Sequence, residues 1–167
     1  GFEEQGRFSL PPLLELKKLR LSIAHRPAFV RSWIRAARSP GIVFVPTRQW
    51  TVRLTHLLQE SGIRAAPYHA GMTAEERRAV ETQVESGRWE ALVATSAFGM
   101  GMDVRILQWA LLLGPPGDVS GLAQAVGRAG RDRTRRSQAW VLWEPEDFRL
   151  LRYLTEGQPR ARESLSE

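Results

Sequence analysis

The sequence predicts a three-layer α/β domain with a mainly parallel β-sheet between two layers of helices. Three observations predict it. Apolar runs at Gly41-Ile42-Val43-Phe44-Val45, at Ala91-Leu92-Val93-Ala94 and from Ile106 to Gly114, the last broken by Gln108 and giving a strand from Gln108 to Leu113, have the character of buried strands, as parallel sheets need. Between them lie segments whose apolar residues recur at helical spacing. Helix-start and helix-stop residues separate the two kinds of segment, and such alternation gives parallel strands joined by right-handed crossovers.

Residues 1–12 mix Gly, Glu, Gln and Ser with two adjacent prolines and read as a tail or the end of a linker. Leu13 to Leu19 suits one or two helical turns, and Leu19-Arg20-Leu21-Ser22-Ile23 alternates as an edge strand does. The expected division is therefore a tail over 1–18, a domain over 19–154 and a solvated tail over 155–167. Pro27 suits a first helical residue, and Phe29, Val30, Trp33, Ile34 and Ala37 form a stripe that Ser39-Pro40-Gly41 ends.

After the first apolar strand, Thr47 can cap a helix carrying Trp50, Leu54, Leu57 and Leu58 inward, with Gly62 at its end. Ile63 to Tyr68 is the next strand. Thr73-Ala74-Glu75-Glu76 is a capping box, opening a helix that buries Val80 and Val84 and stops at Gly87. Ser120 can open a short helix, Gln138 to Trp143 is the last strand, and Pro145 starts a helix with Phe148, Leu151 and Leu154 on one side.

At 167 residues the chain is one ordinary domain with a sizeable core. Its 43% hydrophobic and 25% charged content is that of a soluble globular protein, and no apolar run approaches the roughly 20 residues of a membrane span. Without cysteine, disulfides and thiolate metal sites are excluded, and no secretory pattern opens the chain. The expectation is an intracellular protein. A net charge of +6 and a pI near 10.9 favour a polyanionic partner, although basic surfaces also occur on proteins that bind none. Of six tryptophans, Trp33, Trp50, Trp109, Trp140 and Trp143 fall on inward stripes or strands, and Trp89, in a turn, is the one left for base stacking.

Ligands of open parallel sheets gather at the carboxyl ends of the strands, where four unusual strings fall. Pro46-Thr47-Arg48, at a helix start, offers N–H groups, a hydroxyl and a cation to a backbone phosphate. A capped helix with a surface arginine is the alternative. Tyr68-His69-Ala70-Gly71-Met72 places a histidine that is either a locally bonded loop residue or a ligand contact. In Thr95 to Asp103, Gly99 and Gly101 disfavour helix and strand alike, Thr95 and Ser96 offer hydroxyls, and Asp103 can accept from a ribose or orient an arginine. A tight turn would be the alternative there. In Gln124-Ala-Val-Gly-Arg-Ala-Gly-Arg-Asp132, Arg128 and Arg131 leave one helical face together, and Gly127 and Gly130 allow close approach. Such a guanidinium pair suits a phosphate whose charge grows during reaction, although a solvated face carries arginines too. The nearby cluster Arg133, Arg135 and Arg136 is either a solubilising loop or a landing strip for DNA.

The string from Gln124 to Asp132 resembles the last helicase motif of superfamily 2, and Phe98-Gly-Met-Gly-Met-Asp103 upstream makes the chain similar to RecQ-family DNA helicases. Tyr68-His69-Ala70-Gly71 and Trp143-Glu-Pro-Glu-Asp-Phe148 extend the resemblance over about Gly41 to Leu154. It implies the second, C-terminal RecA-like domain of an ATP-dependent DNA helicase. Arg131 would be the arginine finger toward the γ-phosphate and Arg128 would share that work, with Gln124, Gly127, Asp103 and Gly101 on the ATP side. Thr47, Arg48, His69, Gly71, Thr95, Ser96 and Gly99 would lie on the DNA side. Glutamine at 124 favours the DNA-unwinding branch over DEAD-box RNA helicases, which usually carry histidine there.

The family also implies 3′ to 5′ tracking, work in DNA repair and recombination, and a location in the nucleoid or nucleus. No Gly-x-x-x-x-Gly-Lys-Ser/Thr loop and no Asp-Glu-x-His string occurs in the chain. ATP and Mg2+ are therefore expected to be held mainly by a first RecA-like domain, and this chain is expected not to hydrolyse ATP alone. Expected partners are that domain and DNA at a junction of single strand and duplex, with no membrane and no resident metal in this chain. Arg133-Thr134-Arg135-Arg136 departs from the family's glycine after the Arg-Asp pair, and the four-cysteine zinc region typical of the family is absent from this sequence. Two other readings share the fold: an RNA helicase or other superfamily 2 translocase, and a non-catalytic DNA-binding module.

Overall fold

The five-residue apolar runs form the middle of the sheet. In the computed structural model, which describes residues 14–95, 107–114 and 136–149, strands β2 (Gly41–Val45) and β5 (Trp109–Leu113) are buried at every position. The other strands are β1 (Leu14–Arg20), β3 (Ala65–Tyr68), β4 (Ala91–Thr95) and β6 (Ser137–Trp143). They form one sheet in the order β1-β6-β5-β2-β4-β3, and every pairing between described strands is parallel.

The period of two along each strand divides the core between two faces. Ile42, Phe44, Tyr68, Leu92, Ala110 and Leu112 pack on one face with Val80 and Val84 of helix α3 (Ala74–Glu85). Val43, Val45, Val93, Trp109 and Leu111 pack on the other, with Val30 and Ile34 of α1 (Arg26–Ala37) and Leu54 and Leu58 of α2 (Arg48–Glu60). Each such Leu, Ile or Val contributes about 1.5–3 kcal/mol by leaving water. This is the three-layer arrangement expected from the alternation of elements.

Local signals set the element ends. The Thr47 hydroxyl accepts from the Trp50 N–H at 3.3 Å and starts α2, and Thr73 and Glu76 close a reciprocal capping box on α3. Gly62 and Gly87, both at φ +81°, follow α2 and α3 in the left-handed region. Gly41 has a different reason. A Cβ there would overlap the Trp109 indole, whose Nε1 donates to the Ser39 carbonyl at 2.8 Å, so the missing side chain lets the tryptophan cross β2.

Several expectations need correction. The edge strand is β1 at Leu14–Arg20, not residues 19–23, and pairs in parallel with β6 from Leu14↔Ser137 to Arg20↔Trp143. Leu14-Glu15-Leu16-Lys17 alternates as strictly as the later residues do, and pairing with β6 selects the strand over the helical turn. Leu57 is 43% exposed, because the buried face of α2 runs through Thr51, Leu54, Thr55 and Leu58. The two threonines satisfy their hydroxyls within the helix, donating to the Arg48 and Thr51 carbonyls. Pro145 does open a helical turn, 145–149, in which Phe148 is 51% exposed, while Leu151 and Leu154 lie outside the described residues. Trp89 is half-buried against the core, and its Nε1 donates to Gln83 at 2.9 Å.

Candidate nucleic-acid interface

Register brings the first two candidate loops and Thr95 to one edge. β4 lies between β2 and β3, with Val45 opposite Thr95 and Tyr68 opposite Ala94. His69, one residue past Tyr68, therefore stands level with Thr95, while Pro46 and Thr47 continue from Val45. These are carboxyl ends of parallel strands, where an α/β sheet presents its ligand groups.

The side chains then span the edge. Arg48, in the first turn of α2, lays its guanidinium against the backbone of Gly71: a Cβ at Gly71 would overlap its Cζ and Nη2 and come within 2.9 Å of Nε. Glycine at 71 is thus what admits the arginine. The Gly71 N–H donates to His69 Nδ1 at 3.0 Å, and the Met72 N–H donates to the His69 carbonyl at 3.1 Å, closing the turn.

Burial first, and the charge of Arg48 second, lower the His69 pKa below the usual 6.5, against an opposing pull from Glu76. The ring is therefore neutral at pH 7. With Nδ1 accepting, the proton belongs on Nε2, which becomes an outward donor. Thr47 spends an acceptor lone pair on its cap and keeps its hydroxyl proton for another partner. Thr95 is half-buried at the end of β4. The rim can thus present a fixed charge, an imidazole N–H and hydroxyls to a phosphodiester backbone.

Thr47, Arg48, His69, Gly71 and Thr95 are accordingly brought together. Ser96, Gly99, Gly101, Asp103, Gln124, Gly127, Arg128, Arg131, Arg133 and Arg135 lie outside the described residues; Arg136 is exposed just before β6.

One element escaped the sequence reading. Arg26 and Asp147, each with a 5% exposed side chain, form a two-pronged ion pair, Nη1 to Oδ1 at 2.9 Å and Nη2 to Oδ2 at 2.5 Å. Arg26 Nε also donates to the Leu21 carbonyl, and Asp147 Oδ2 accepts from the Glu144 N–H. The pair joins the entry of α1 to the segment after β6. Gly114, at φ +106°, is close enough that an added Cβ would lie 3.5 Å from Asp147 Oδ1. A signal did exist: a cation in the first turn of a helix opposes the helix dipole unless an anion answers it. Between this pair and the first loop lies an apolar recess of about 40 Å³, lined by Val45, Pro46, Trp50, Leu54 and Leu113.

Residues 26–133 match the helicase conserved C-terminal domain family. The chain is 32% identical over 133 residues to the ATP-dependent DNA helicase RecQ of Bacillus subtilis, covering 79% of this chain and 22% of that protein. It is 33% identical over 114 residues to the ATP-dependent helicase wrn-1 of Caenorhabditis elegans, covering 68% of this chain and 11% of that protein. The chain thus spans at most about a fifth of these relatives. In fold it is similar to a DEAD box protein from Methanococcus jannaschii, with a TM-score of 0.73 at 21% identity over 86% of this chain and 39% of that one. The parallel sheet of described strands, the two described loops at its carboxyl edge and these matches agree, and the chain belongs to the helicase conserved C-terminal domain family, with similarity to that part of RecQ-type helicases.

Proposed function

We propose that this domain is the second motor domain of an ATP-dependent DNA helicase that separates strands in DNA repair and recombination. It closes against a first RecA-like domain around ATP. Arg128 and Arg131 face the nucleotide, with Gln124, Gly127, Gly101 and Asp103 beside them. Thr47, Arg48, His69, Gly71, Thr95, Ser96 and Gly99 hold the backbone of one strand. Guanidiniums, glycines and a single carboxylate suit phosphate and ribose and do not make up a magnesium shell, so the magnesium accompanying ATP is assigned to the first domain.

The observation that carries the reading is the contact of Arg48 with Gly71 beside His69, which joins two loops into one phosphate-facing rim. Its donors match a nucleic-acid backbone, and the named relative in Bacillus subtilis is a DNA helicase. Alternate closure and opening of the two domains would change their grips on the strand and turn hydrolysis into translocation, in the 3′ to 5′ direction that the family resemblance implies.

Fluorescence anisotropy on the intact protein, with DNA and RNA single strands of matched length, tests it. Arg48→Ala should weaken DNA binding and shallow its salt dependence by about one phosphate contact. Tighter binding of RNA than of DNA, or no effect of Arg48→Ala on either, would overturn the assignment.

A further inference from the structure

The opposite edge of the sheet carries a second cationic assembly that the strand rim does not use. Three consecutive helix-to-strand connections arrive there, α1 to β2, α2 to β3 and α3 to β4, and each contains an arginine: Arg38, Arg64 and Arg88. With Ser39, Trp89 and Glu90, Arg38 and Arg64 line a cavity of about 390 Å³, much roomier than the apolar recess at the carboxyl edge.

Among the described residues, no acid forms an ion pair with these cations. Arg38 forms no hydrogen bond or ion pair with any described residue. Arg64 uses its Nε to reach the Arg88 carbonyl at 3.1 Å, which fixes the side chain and leaves both terminal nitrogens available. Arg88 lies over the Trp89 ring, 5.4 Å from its centroid. Among the described residues Glu90 is the one acid lining the cavity, and its carboxylate accepts the Arg64 backbone N–H at 2.8 Å.

Arg38 is also the one non-glycine residue with positive φ among the described residues, +53°, at the end of α1. Glycine is the favoured residue in that conformation. The carbonyls ending a helix attract a cation, which accounts for one arginine; it does not account for two, from two connections, lining one cavity with a third, Arg88, held beside them through its carbonyl.

We propose that this amino-terminal edge is a second nucleic-acid contact, in which Arg38, Arg64 and Arg88 take phosphates of the duplex arm of the substrate. The inference rests on the DNA-helicase reading above. A strand of five residues separates the two edges by about 17 Å, so a phosphate here belongs to a different part of the substrate from the strand at the Arg48 rim. Charge complementarity selects a polyanion, and guanidiniums that take phosphate oxygens without reading bases suit a duplex passing in any sequence.

The test uses the intact protein with Arg38→Gly, Arg64→Gln and the double variant. Arg38→Gly removes the cation while relieving the backbone, so its thermal midpoint should hold or rise and a folding defect cannot imitate the result. Binding to a short single strand and to a fork with a duplex arm is followed by anisotropy across a salt series. Expected for the double variant are a loss of roughly tenfold or more in fork affinity and a salt slope shallower by about two, near 0.9 per contact. Short-strand affinity and single-strand-stimulated ATPase should stay unchanged. An unchanged fork slope, or equal losses on both substrates, would overturn the proposal. So would tripolyphosphate occupying the cavity in a protein whose fork binding ignores these substitutions, which would make it a small-anion site. Failure of the unmodified protein to bind either DNA would instead overturn the helicase reading on which this one stands.

Discussion

Replacing Asp147 with alanine leaves the Arg26 guanidinium 4% exposed as a residue and without its anion. The loss covers both prongs of the ion pair, at 2.9 and 2.5 Å, and the acceptor for the Glu144 N–H. Water cannot readily replace these partners at such burial, and breaking one side of a buried pair costs about 3–5 kcal/mol. A domain of this size unfolds in urea with a slope of about 1–3 kcal/mol/M, so the midpoint should fall by roughly 2 M. Arg26→Met combined with Asp147→Leu removes both charges together and should recover most of the loss, because the penalty lies chiefly in the orphaned charge. The assay is urea unfolding followed by circular dichroism. A loss under about 1 kcal/mol for Asp147→Ala, or a double variant less stable than either single one, would refute the reasoning.

Two further predictions concern the rim. Gly71→Ala should push the flexible end of Arg48 aside without disturbing the core, so single-strand affinity should fall while stability stays within ~0.5 kcal/mol; anisotropy beside thermal melting checks both. His69 has a folded pKa lowered from 6.5, so the unfolded chain takes up its proton first as pH falls. Its contribution to stability should therefore be complete above pH 6.5 and decline as pH drops through the lowered folded value. Comparing wild-type and His69→Gln unfolding from pH 8 to pH 5 shows this, and a difference independent of pH would contradict it.

Much of the fold was legible because its signals are local. The apolar run 41–45 became β2, Thr47 caps α2, and Thr73 with Glu76 forms the expected box, since each needs only neighbouring residues. The misses are non-local. Residues 14–20 suit helix or strand until β6 arrives as a partner, and Arg26 meets an aspartate 121 positions away. Leu57 matches the apolar period but falls at the margin of its face, where hydrophobic residues commonly remain exposed. For the rim, the sequence indicated which residues converge, through the rule for carboxyl ends of parallel strands. It did not indicate that Gly71 is a seat for Arg48, because that depends on β4 separating β2 from β3 by one strand's width.

The central claim is that this domain completes an ATPase by supplying Arg131. It is tested most directly by single-strand-stimulated ATP hydrolysis of the full-length protein and its Arg131→Ala form, with DNA affinity measured on the same samples. The account predicts a fall in kcat of about 10³-fold or more with DNA binding retained. A fall of tenfold or less, with DNA bound as before, would contradict it.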